Sequence, residues 1–463
     1  MSDGVRFERR MSDADAMLWR LERDPLLRST ITSVSIYDRP FDRARLAERM
    51  ERATRLIPRL RQRVLGSPLS PSPPRWLPDA RFDLDDHLRW TEVGGTGTMR
   101  DLLDLVEPLA VQPFDRDRPL WDFTVVEGLE GGRCAFVQKI HHAVTDGVGG
   151  MQLAMLTLDL ERDPAGEEER MPPAPAGEDP GVVERLLDAA GHERRRAMGL
   201  ARRQAGAVRA LAADPVAAGR RAAGDAASIA RLLAPTFEPL SPLLRARSAG
   251  ARFDTVEVPL ADLKAAARKA DGKLNDAFVA AVTGGFRRYH ERHGQPVEQL
   301  RMTMPINART EQTADVAGNH LTPARLLVPA GMVDPVARMR RIHDLVAEQR
   351  DEPAGRYTEV IAGILNRLPA VVSTELLGRM LKGVDFLTSN VPGAPVPVFM
   401  AGARLEAQYP FGPLGGAAVN VTLLSHLDTC LVGINSDPAA VADPVVLRDC
   451  IAEGFDEVCG VAS

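Results

Sequence analysis

A chain of 463 residues, 44% hydrophobic and 26% charged, holds more apolar material than one core takes up, so two lobes with a cleft between them are expected. A net charge of −5 and a pI near 6.1 argue against a surface committed as a whole to nucleic acid. The stretch from Met1 to Leu21 lacks the apolar run of a secretory signal. No later window offers about twenty apolar residues free of charge, so any membrane contact is expected to be peripheral.

In chain order, residues 1–162 read as an α/β or α+β lobe. Thr30 to Tyr37 and Cys134 to His142 have the composition of strands, and Arg43 to Ile57 that of a helix. Residues 163–250 form a Pro/Glu-rich linker followed by Ala/Arg-rich helices. Arg194, Arg195, Arg196, Arg202, Arg203, Arg209, Arg220 and Arg221 stand there either as a solvated face or as a basic surface for anionic lipid headgroups. From 251 to 463, strand-like runs at Thr255 to Pro259, Arg301 to Ile306, Leu321 to Val328, Val419 to Ser425 and Thr429 to Asn435 alternate with helical ones. The helical runs are Leu260 to Ala270, Asn275 to His290 and Pro335 to Gln349, which makes a second α/β lobe. The cysteines Cys134, Cys430, Cys450 and Cys459 have no C-x-x-C spacing and are expected to be free buried thiols in a reducing cytoplasm.

The chemistry concentrates in His141-His142-Ala143-Val144-Thr145-Asp146-Gly147, at the end of the second predicted strand. Side chains alternate along a strand, so the two histidines are expected to face opposite ways, with Phe136, Gln138, Ile140 and His142 on one face and Val137, Lys139 and His141 on the other. Adjacent ligands on a strand do not converge on one ion, and no third ligand stands at a familiar spacing, so no metal is expected. A neutral histidine suits removal of an alcohol proton near pH 7. Asp146 holds the turn by accepting hydrogen bonds or binding an arginine, Gly147 permits backbone angles closed to other residues, and a helix is expected from Gly149 through Leu158. A structural histidine pair with Asp146 as a helix cap is the competing reading. Serine-elbow, phosphate-loop and H-E-x-x-H motifs are absent from the sequence.

H-H-x-x-x-D-G resembles the signature of acyltransferases similar to chloramphenicol acetyltransferase and of peptide-synthetase condensation domains. The wider chain resembles the bacterial wax ester synthase/diacylglycerol acyltransferase family. Ser12 to Ala16, Arg118 to Trp121, Leu274-Asn275-Asp276, Met304 to Arg309, Gly318-Asn319, Thr388 to Gly393, Ala401 to Arg404 and Tyr409 to Pro413 carry the likeness in order.

The resemblance implies two mixed sheets flanked by helices, with an active-site tunnel between the lobes. It implies transfer of an acyl group from long-chain acyl-coenzyme A to diacylglycerol or a fatty alcohol, giving triacylglycerol and/or wax ester. His142 is then the general base and Asp146 an orienting residue, with His141, Gly147, Asn275, Asp276, Ser389 and Asn390 supporting the site. Pro119-Leu120-Trp121 is expected to be a wall of the site or core. Thr388 to Asn390, ahead of a turn at Val-Pro-Gly, offers hydrogen-bond donors to the thioester oxygen, and Arg309 or Arg404 would pair with Asp146 or with coenzyme A phosphates. No cofactor is implied, because coenzyme A enters as a thioester substrate. The expected place is the cytoplasm, with peripheral contact at the inner membrane or a lipid droplet.

Ser241 to Arg247 lacks the Asn-Gly that many relatives carry, and Gly415 to Val419 is plainer than usual, so the acceptor stays open. A condensation-type enzyme using another acceptor or a carrier-bound acyl group, and a lipid-binding relative with weak turnover, are the alternatives.

Overall fold

The computed structural model describes residues 6–66, 72–144, 157–164, 171–232, 238–307, 316–317, 321–350, 358–367 and 370–462. The chain begins β1 (Arg6–Phe7), α1 (Asp13–Leu21), β2 (Thr30–Tyr37), α2 (Arg43–Leu56), β3 (Gln62–Leu65), β4 (Arg75–Pro78), β5 (Leu88–Glu92), α3 (Met99–Val111), β6 (Trp121–Leu129) and β7 (Arg133–His141). Two helices follow, α4 (Val182–Ala213) and α5 (Pro215–Leu232). The remainder holds β8 (Arg252–Pro259), α6 (Leu260–Lys269), α7 (Leu274–Arg292), β9 (Leu300–Asn307), β10 (Val316–Ala317), β11 (Leu321–Val328) and α8 (Pro335–Arg350). It ends with α9 (Thr358–Leu365), α10 (Ala370–Lys382), β12 (Phe386–Pro392), β13 (Phe399–Met400), β14 (Ala403–Phe411), β15 (Val419–His426), β16 (Thr429–Ser436) and α11 (Pro444–Gly460).

Local chemistry starts the helices. Ser12 caps α1 by accepting from Asp15 N, Asp42 caps α2 by accepting from Arg45 N, and Thr98 with Asp101 closes a capping box on α3. In α2, Leu46, Met50 and Ala53 recur at helical spacing and are buried together. Strands β15 and β16 are buried on both faces; Cys430 to Val432 of β16 is an apolar run, whereas β15 alternates Val419, Val421 and Leu423 with Asn420 and Thr422.

Two mixed six-stranded sheets organise the molecule. The first has the order β13-β14-β2-β7-β6-β5 and the second β11-β9-β12-β15-β16-β8. On one face of the first sheet Phe123, Phe136 and Ile140 join Leu46 and Met50 of α2 in a core. The second sheet is covered by α6, α7, α8 and α11, and Ala277 to Val282 of α7 are fully buried in that core. Between the sheets lies a third cluster, where Val34, Ile36, Ala135 and Val137 of the first meet Phe253 and Leu431 of the second. The expected two-lobed architecture is therefore present.

Sheet membership does not follow chain position throughout. β13 and β14, which come after residue 251, lie in the first sheet, with β14 antiparallel to β2 from Leu405 opposite Tyr37 to Phe411 opposite Thr32. The hairpin between them turns on Ala401 and Gly402, both at positive φ (46° and 85°). Its side chains Met400, Ala403 and Leu405 fill the first lobe's core, and that burial accounts for the crossing.

Thr388 to Pro392 does not lead into a turn at Val-Pro-Gly as expected. It is the body of β12, parallel to β15, and Pro392 ends it, past the two residues Phe386 and Leu387 that also pair with β9. All four cysteines are free, Cys459 alone being half-exposed. The helix expected from Gly149 falls, up to residue 156, outside the described residues, as do Arg309, Gly318 and Asn319.

Candidate active site

Strand β7 ends one residue earlier than expected, at His141, and His142 opens a turn closed by Val144 N donating to His141 O at 2.9 Å. Strand alternation sends Phe136 and Ile140 into the first lobe's core, and because the strand has ended it no longer governs His142. His142 is half-buried, and its backbone N–H donates to Ser29 O at 2.8 Å.

His141 is wholly buried. It sits opposite Thr30, and Lys139 opposite Thr32, so these four share the face that meets the second sheet. Ala143 N donates to His141 Nδ1 at 2.9 Å, which leaves the ring proton on Nε2, 2.6 Å from Glu22 Oε2, although the N–H is not well aligned on that oxygen. Trp19 and Phe114 pack edge-on around the ring. Burial alone would raise the Glu22 carboxyl, but His141, then Arg116 and the Ser29 N–H, hold it below its usual range. Lys139, 3.4 Å from Asp122 Oδ2 and 4.4 Å above Phe114, is pushed down by burial against the pull of Asp122.

Beside Thr30 a narrow crevice of about 50 Å³ opens between the lobes. Arg28, Thr30, Thr32 and Phe411 line one side, and Ser248 to Ala251, Phe253 and Asn435 the other. Among the described residues Arg28 is the one charged residue in this lining. Gly433 brings the lobes together behind it, since a Cβ there would overlap Pro410 O of β14. Among the described residues no three His, Cys, Asp or Glu side chains are grouped to hold a metal ion.

Of the other expected site residues, Asn275, Asp276, Ser389 and Asn390 belong to the second lobe. Ser389 stands beside Thr422 and shares with it and Asn420 the face of the second sheet turned away from the α7 core, while Asn390 is exposed. Asn275 does not cap α7. The cap position is Lys273, and Asp276 secures the turn by accepting from Lys273 N at 2.7 Å while facing His343 Nδ1 at 2.8 Å. Asp146 and Gly147 lie outside the described residues. Arg404 is at the far end of β2 from Thr30, roughly 23 Å away at 3.3 Å per residue, bonded to Asp38 and Glu406, so it is no partner for the histidine turn. Pro119-Leu120-Trp121 is core: Leu120 and Trp121 are fully buried, Trp121 Nε1 donates to Leu60 O, and Leu120 O accepts from His141 N.

Sequence reasoning missed Glu22, Ser29, Asn420, Thr422 and Asn435. None carries a local signal; each gains its place from a strand or helix end far away in the chain.

The family model of the wax ester synthase/diacylglycerol acyltransferase catalytic domain matches residues 11–278, and that of the WS/DGAT C-terminal domain matches residues 317–458. A protein of Mycobacterium tuberculosis (strain ATCC 25618 / H37Rv), provisionally named a diacylglycerol O-acyltransferase, is 38% identical over 99% of this chain and 94% of its own length. A second from the same strain, similarly named, is 30% identical over 98% of both chains. Among solved structures, a wax ester synthase/diacylglycerol acyltransferase from Marinobacter aquaeolei VT8 superposes with a TM-score of 0.64 at 20% identity, covering 98% of this chain and 99% of the other. The first condensation domain of the CDA synthetase shares the fold at a TM-score of 0.60 and 17% identity, over 98% and 96%. The chain belongs to the wax ester synthase/diacylglycerol acyltransferase family, and it is an acyltransferase.

Proposed function

We propose that this enzyme transfers a long-chain acyl group from coenzyme A to the hydroxyl of diacylglycerol or a fatty alcohol, with His142 as general base. The observation that carries the reading is the division of labour at the end of β7. His141 is wholly buried, its Nδ1 accepting from Ala143 N and its Nε2 facing Glu22, whereas His142, the next residue, keeps solvent exposure in a turn pinned to Ser29.

In this mechanism His142 takes the acceptor's proton as its oxygen attacks the thioester carbon. The C–S bond then breaks, and the protonated imidazole returns that proton to the departing thiolate. Ser389, on the inward face of the second sheet, is assigned as a donor to the thioester oxygen as it gains negative charge. Asp146 is assigned the orienting role within the histidine turn. Both substrates are held between lobes, which supplies positioning and keeps water from the thioester. No resident cofactor is required. No described helix is long and apolar enough to cross a membrane, and the apolar acceptor places the work at a lipid–water boundary.

The test is incubation of purified enzyme with labelled palmitoyl-coenzyme A and hexadecanol, diacylglycerol or an amine. Neutral lipid is the expected product. His142→Ala is expected to lower its rate by roughly a hundredfold or more. Polar product alone, or near-normal ester formation by a folded His142→Ala protein, refutes the assignment.

A further inference from the structure

The inner half of α4 is tied to the first lobe. Ala189 is buried, Asp188 pairs with Arg10, Glu193 with Arg367 and Arg196 with Asp13. Beyond Arg196 every described side chain of α4 is exposed, so about 25 Å of helix leaves the body before the chain bends at Asp214 into α5. A helix so exposed would ordinarily be polar all round. This one is not. Leu200, Val208 and Leu211 are exposed large apolar residues, with Val208 at 65%.

Ala197, Ala201, Val208, Leu211 and Ala212 fall within an arc of about 100°. Arg195, Arg202 and Arg209, each two turns apart, run along its flank. Between Arg194 and Leu232 nine arginines stand against two aspartates, in a chain whose net charge is −5. Positive charge is thus gathered where an apolar stripe leaves the body of the protein.

We propose that this arm docks the enzyme on an anionic phospholipid bilayer, its apolar stripe entering the headgroup boundary and its arginines meeting lipid phosphates. Charge decides the occupant. A second copy would bring a like-charged arm against this one, and an uncharged lipid surface would leave the arginine row without a counterpart. Docking needs no acyl transfer, so it stands or falls independently of the catalytic assignment.

Full-length enzyme is co-sedimented with phosphatidylcholine vesicles, with or without about one phosphatidylglycerol in three. Partitioning is expected to rise at least roughly tenfold with the anionic lipid and to fall as salt screens the charges. The triple change Arg195→Glu, Arg202→Glu and Arg209→Glu is expected to return it to the phosphatidylcholine level. Val208→Ser with Leu211→Ser is expected to weaken it severalfold. All these positions are exposed, so circular dichroism and turnover of detergent-dispersed substrate should match wild type. Equal partitioning with and without anionic lipid, wild-type partitioning by the triple variant, or preference for a phosphatidylcholine-coated triacylglycerol emulsion overturns the proposal. So does a dimer that both sets of changes dissolve.

Discussion

Replacing Glu22 with alanine removes the carboxylate that faces the buried His141 ring. Because Ala143 N–H occupies Nδ1, the ring proton on Nε2 is left among Trp19 and Phe114 with no acceptor. An orphaned buried donor costs about 1–3 kcal/mol. Gln at this position keeps an oxygen in place and loses only the charge, for about 1 kcal/mol. The sign with pH follows from the depressed Glu22 carboxyl. Its contribution is complete above the ordinary carboxylate range and disappears as pH falls through the folded-state value, so wild type and Glu22→Ala converge in acid. Urea unfolding at several pH values, read on tryptophan fluorescence, measures this. The same pair holds the turn that carries His142, so kcat is expected to drop roughly tenfold to a hundredfold at unchanged KM, with Glu22→Gln restoring most of it. A Glu22→Ala protein as stable as wild type at neutral pH, or a deficit that does not shrink in acid, refutes the reasoning.

Arg28→Ala removes a charged residue from the crevice lining, and KM for acyl-coenzyme A is expected to rise roughly tenfold while KM for the acceptor holds, as initial-rate kinetics will report. Asp276→Ala should cost about 1–2 kcal/mol in chemical denaturation through the lost cap of α7, with kcat of the folded enzyme within about twofold if the residue only holds the helix. Gly433→Ala places a methyl group against Pro410 O, and should cost about 1–3 kcal/mol and loosen the contact between lobes, visible as faster amide exchange in β14 and β16.

Most elements of the second lobe were legible because their signals are local. Val419 to Ser425 alternates apolar and polar residues at strand length, Thr429 to Asn435 is largely apolar over the same length, and Asn275 to His290 has helical spacing. The histidine motif was equally plain. The strand at Thr388 to Pro392 was read as leading into a turn because Val-Pro-Gly speaks for one locally, while the parallel pairing with β15 that overrides it is not local. α7 shows the same limit on a smaller scale: Asn275 has the chemistry of a cap, yet the backbone enters the helix at Lys273, and Asp276 takes the task.

By itself, the sequence determined the family, the two-lobed class, the pair of histidines at a strand end and the basic Ala/Arg helices. Each of these is carried by side-chain identity at fixed short spacing. Only the tertiary structure decided that β14 returns to the first sheet, that Glu22 and Ala143 claim His141, that Arg404 stands at the wrong end of β2, and that the outer half of α4 leaves the body. Those outcomes depend on strand register and on burial between segments far apart in the chain. Contacts of that kind are chosen by the packing of the whole molecule.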